Sequence, residues 1–174
     1  MANGNAWDRT DQARVDRVPF ADVSVDDLAV DVLSELLENA RDSEYGFRTC
    51  AREMPSASSL RQSFNRRASQ YHEACDELAR MIRRHGGSPP ECGTAGAAIH
   101  RGWVRAKGAV GANSELSLLE ECERGEEAAV ALYREAMQRR LPPDVRDLLE
   151  RQAASAQQSH DQFQVLRDEA RPRG

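Results

Sequence analysis

A chain of 174 residues, 40% apolar and 30% charged, is enough for one domain that buries about two thirds of its unfolded surface. Its formal net charge of −5 and pI near 5.5 exclude a general attraction for nucleic acid or an anionic membrane surface. No apolar stretch approaches the roughly 20 residues that span a bilayer. Few aromatics and much Ala, Leu, Glu and Arg favour an all-α fold.

Residues 1–23 are polar, have no signal-peptide core, and read as a disordered N-terminal arm. A bundle of four long antiparallel helices is expected over residues 24–171. The first helix opens after Ser24, with Asp27 three places on, and runs to Met54 before Pro55. The second spans 57–85 and stops at Gly86-Gly87. Residues 87–113 form a long connection, within which 95–110 can make a Gly-interrupted helix. The third helix covers 114–140, and Pro142-Pro143-Asp144 starts the fourth, which reaches Ala170.

The turns at Pro55 and Pro142 are short and make helical hairpins. The long, partly helical crossover between helices two and three is able to climb the bundle, so that those helices share a direction, as in ferritins. An up-down-up-down bundle with a decorated loop is the alternative. The basic runs at 80–85 and 139–140 lie at helix C-termini, where cations complement the dipole. Cys50, Cys75, Cys92 and Cys122 are scattered without metal-type spacing, so reduced thiols in a cytoplasm are expected.

Apolar steps of three and four mark the core seams. Helix one reads Leu33, Leu37, Ala40, Glu44, Phe47, Ala51, Met54. Helix two reads Leu60, Phe64, Ala68, Tyr71, Cys75, Leu78, Ile82. Helix three reads Leu116, Leu119, Glu123, Glu126, Val130, Tyr133, Met137, with Cys122 off the seam. Helix four reads Val145, Leu149, Gln152, Ala156, Phe163, Leu166, with His160 beside it. Measured from the turns at about 1.5 Å per residue, Glu44, Glu123, Glu126 and His160 fall near one height.

Carboxylates in an apolar core need a partner or a metal. Glu44, Glu123, Glu126 and His160 are therefore the expected ligands of iron, or of manganese or zinc, with Arg67, Gln152, Gln157 and Gln70 around them. A di-iron bundle uses one Glu from each of two helices and Glu-x-x-His from each of the others. Here Gln157 precedes His160 where a Glu belongs, and Glu73, after Gln70, points away from the seam, so half a di-metal site is present. The competing reading is a structural polar layer: Glu44 paired with Arg67, and Glu123 or Glu126 bonded to His160, Tyr71, Tyr133 or Gln152. No phosphate loop, nucleophile elbow or organic-cofactor motif is present.

His100-Arg101-Gly102-Trp103 in the crossover and the run from Leu119 to Glu127 in helix three resemble the DUF2383 family of ferritin-like bacterial bundles. Pro142-Pro143, Arg151-Gln152, His160-Asp161 and Leu166-Arg167-Asp168 extend the resemblance. It implies a ferritin-like fold and a relationship to metal-binding bundles, with Glu44, Glu123, Glu126 and His160 at the matching positions. It also implies a Glu where this chain has Gln70, and this departure argues against a full di-iron centre. Two further expectations are self-association into a homo-oligomer, in a non-catalytic structural or stress-related role, and an adaptor that uses the N-terminal arm.

Overall fold

The computed structural model describes residues 24–91 and 114–171. Among them are four helices and no strand: α1 (Val25–Glu53), α2 (Ser59–Arg84), α3 (Ser114–Ala136) and α4 (Pro143–Ala170). The arm at 1–23, the crossover helix at 95–110, Cys92, His100 and Trp103 lie outside the described residues. No helix among those described is long and apolar enough to cross a membrane.

Local chemistry sets the helix ends. Ser24 caps α1 by accepting from the Asp27 amide at 3.0 Å, and Asp26 and Asp27 favour the positive end of the helix dipole. Met54, extended before Pro55, ends it. Ser58 caps α2 through the Leu60 amide at 3.2 Å. At the other end Gly86 takes φ +81°, and the Gly87 amide returns to the Ile82 carbonyl at 2.9 Å.

The third helix stops earlier than its sequence predicts. The amides of Gln138 and Arg139 bond three residues back, to Glu135 and Ala136, so the last turn tightens. Arg146 of α4 then donates to the free carbonyls of Met137 and Arg139 at 3.0 and 3.1 Å. The guanidinium thus seals α3 where one more turn of helix was expected.

The four helices bury one hydrophobic core, as a four-helix bundle does. The α2 seam is buried as read, with Arg67 added to it. Phe47, Phe64, Tyr71 and Phe163 cluster at its centre with ring centroids 5.2 to 6.3 Å apart. On α3 the buried residues are Leu118, Leu119, Cys122, Glu126, Ala129, Tyr133 and Ala136, a face turned about one position from the predicted seam. Cys122 is therefore in the core, and Glu123 sits at its margin. Exposed Glu127 and Ala128 follow Glu126 on the outer side, and small alanines rather than Val130 fill the inner slots.

Polar contacts tie the helices at several heights. His85 Nδ1, at the end of α2, lies 2.7 Å from Asp26 near the start of α1, and its Nε2 lies 3.3 Å from Asp144 at the start of α4. Arg61 near the start of α2 donates to the Met54 carbonyl after α1. Gln152 of α4 bonds Glu77 of α2 at 2.9 Å, and Tyr133 of α3 bonds Gln152 at 2.8 Å.

Candidate functional site

One face of α2 carries Phe64, Arg67, Ala68 and Tyr71 into the core, and Arg67 enters as an arginine among apolar neighbours. Its guanidinium meets Glu126 of α3 at two points, Nε to Oε1 at 2.6 Å and Nη2 to Oε2 at 2.8 Å. Glu126 is 0% exposed and Arg67 5%. Tyr71 donates to Oε2 and Ser159 of α4 to Oε1, each at 3.1 Å. Arg67 Nη1 donates to Gln70 Oε1 and Ser155 Oγ, both at 3.1 Å. Its guanidinium carbon stands 4.1 Å from the centroid of the Tyr71 ring.

Each Glu126 oxygen accepts two hydrogen bonds, which uses its lone-pair positions in full. No buried side-chain nitrogen or oxygen among the described residues lacks a partner. Burying two charges costs several kcal/mol per ion, and only complete pairing of this kind offsets it. Burial works against the Arg67 charge, but the bonds to Glu126 outweigh it and hold the guanidinium above its ordinary pKa. Tyr71 is pushed well up, first by burial and then by the Glu126 charge, so its hydroxyl stays a donor.

A second polar rung lies one to two turns away. Tyr133 donates to Gln152, whose amide donates to Glu77, and Arg151 also reaches Glu77 at 3.2 Å. Partial burial would raise the Glu77 carboxyl, but the bonds from Gln152 and Arg151 win and lower it. Between the rungs a cleft of about 280 Å³ opens between α2 and α4, lined by Arg67, Gln70, Glu77, Tyr133, Gln152 and Ser155.

The other predicted ligands have partners elsewhere. Glu44 accepts from Arg48, one turn on, at 2.9 Å and lies 3.3 Å from His72 Nδ1, at the edge of the α1–α2 seam. Arg67 therefore does not pair with Glu44 as one reading held. Glu123 is bonded by Arg167 of α4. His160 lies 3.2 Å from Asp161, which also accepts from the exposed Gln157 at 2.9 Å. Of the predicted set, the fold gathers Glu126, Arg67 and Gln70 at one point. Among the described residues no group of three or more His, Cys, Asp or Glu side chains is placed to hold a metal ion.

Ser159 and Ser155 were missing from the sequence reading. Ser159 had a signal: in the rhythm 149, 152, 156, 163 it fills the skipped slot four residues before Phe163. His160 drew attention by its chemistry, yet it lies one position round the helix. Ser155 had none, because its role depends on the direction of Arg67 Nη1.

No curated protein matches the chain. The profile of a domain of unknown function, DUF2383, matches residues 28–139, from α1 through the whole of α3 and more than half of the chain. The match includes Arg67, Tyr71 and Glu126 and stops before Ser159. The glutamate-rich stretch of α3 that delivers the buried carboxylate thus lies inside the family's own segment, and the chain belongs to the DUF2383 family.

Proposed function

We propose that this chain is a ferritin-like bundle in which an arginine, in place of a metal ion, neutralises the mid-height carboxylate, and that it acts by association, not by metal-centred redox chemistry. The observation that carries this is the Arg67–Glu126 pair, with all four acceptor positions of Glu126 filled from within the protein. A transition metal bound by Glu126 would have to displace the guanidinium and strand it in the core, at a cost of several kcal/mol. The donor set at this point, one carboxylate with Arg, Tyr and Ser, therefore does not fit a ferritin-type metal.

The ferritin-like chain path is supported by the level contacts. His85 beside both Asp26 and Asp144 supports α2 running opposite to α1 and to α4. Arg146 at the end of α3 supports α3 running opposite to α4. Together they give α2 and α3 one direction, with residues 87–113 as the crossover. Among the described residues every buried polar side-chain atom is partnered, and Glu126 in particular has no acceptor position left for a ligand. This favours a structural bundle that meets copies of itself or a partner through its surface.

The test is thermal unfolding of the full chain with and without excess Fe(II) under anaerobic conditions, and with Mn(II) and Zn(II). A ligand at a hundredfold its Kd stabilises by about 2.7 kcal/mol. For a chain of this size that is a rise of roughly 5–10 °C. The proposal expects no such rise, and a rise abolished by Glu126→Ala would overturn it. Light scattering on the same samples reads the assembly state, and a strict monomer would remove self-association from the proposal.

A further inference from the structure

Cys50 of α1 and Cys122 of α3 bring their sulfurs to 3.4 Å in the core, although 72 positions separate them in the chain. They are 0% and 3% exposed, and both are free thiols. The contact lies one helical turn from Glu126, on the seam between α1 and α3. We infer that Cys50 and Cys122 are a reversible modification site, joined by a small peroxide into a disulfide that staples α1 to α3.

The sulfurs stand about 1.4 Å outside bonding distance, and that is the gap the bond has to close. Burial selects the oxidant: hydrogen peroxide is close to water in size, whereas a bulky disulfide such as oxidised glutathione would have to open the seam widely. Burial and the neighbouring Cys50 also push the Cys122 thiol up, so oxidation runs slowly, through transient opening.

The chemistry balances without another reactant. One sulfur attacks the O–O bond of hydrogen peroxide, which yields a sulfenic acid and one water. The second sulfur then displaces the hydroxyl as a second water and forms the S–S bond. Two thiols lose two electrons and two protons in all, and the peroxide takes them up. A dithiol reductant reverses the step by thiol–disulfide exchange.

Closing so long a loop restricts the unfolded chain, and the melting temperature should rise by roughly 10 °C. The experiment exposes the folded full chain to hydrogen peroxide, quenches with catalase, and blocks thiols with N-ethylmaleimide in denaturant before peptide mass mapping. Expected is a linked Cys50–Cys122 peptide pair in a monomeric band, with a higher melting temperature that dithiothreitol reverses. Cys122→Ala should show neither the linked pair nor the rise. Recovery of both residues as maleimide adducts, their over-oxidation without linkage, or a bond from either to Cys75 or Cys92 would overturn the inference. Should Cys122→Ala fold poorly, the wild-type peptide map decides alone.

Discussion

Arg67 and Glu126 lie 59 positions apart in the chain and face each other across α2 and α3 through two hydrogen bonds of 2.6 and 2.8 Å, sealed from solvent. Neither residue has a tolerable environment without the other. Glu126→Ala should therefore destabilise the bundle by about 3–5 kcal/mol, because it strands the guanidinium. Arg67→Met with Glu126→Leu should restore stability to near or above wild type, since both desolvation penalties disappear. Urea titrations of the two single variants and the double variant check this. A double variant as unstable as the sum of the singles contradicts it.

The serine that the chain places on Glu126 should matter more than the histidine nearby. Ser159→Ala removes a donor from a buried carboxylate and should cost about 1–3 kcal/mol. His160→Ala removes a partly exposed contact with Asp161 and should change stability by no more than about 0.5 kcal/mol. Denaturant midpoints of the two variants give the comparison, and the reverse ranking would return His160 to the centre of the site.

Alkaline pH should unfold the protein through its buried tyrosines. Burial raises the folded pKa of both Tyr71 and Tyr133. Below about pH 10 both phenols are protonated in either state, and the folded state keeps its full advantage. Above it the unfolded chain releases protons that the fold retains, so stability falls by about 1.4 kcal/mol per pH unit for each tyrosine. Cys122, raised by burial and by Cys50, adds to the loss from about pH 9 upward. The sequence contains a single lysine, Lys107, so few other side chains titrate in this window. Melting temperatures from pH 8 to pH 11 should show the decline, with a shallower slope for Tyr71→Phe.

Gly87 is needed for close approach, not only as a stop signal. A Cβ there would lie 2.5 and 2.8 Å from the two methyls of Val30 on α1. Gly87→Ala should cost about 1–3 kcal/mol by overpacking, and adding Val30→Ala should recover part of it. Thermal unfolding of the single and double variants checks the coupling. Independent, additive effects would place the strain elsewhere.

Much of this was legible in the sequence, for identifiable reasons. Ser24, the Gly86-Gly87 pair and Pro143 act within a turn of where they stand, so those helix ends could be read locally. The α2 seam was read correctly because Leu60, Phe64, Tyr71, Leu78 and Ile82 are large and apolar. On α3 the inner slots hold Cys122, Glu126 and Ala129, which carry little apolar signal, and the seam was read one position off. The site depended on that rotation. Glu126 was seen as a core carboxylate, but its partner depends on the relative rotation and height of two helices, which periodicity within one helix does not carry.

The most direct test of the central claim, that Arg67 fills the place of a metal, is elemental analysis of the untagged protein. It should be done as purified and after anaerobic incubation with Fe(II) and desalting. The account predicts far less than one metal ion per chain in both samples, and no difference between wild type and Glu126→Ala. One or two irons retained per chain, and lost in Glu126→Ala, would contradict it.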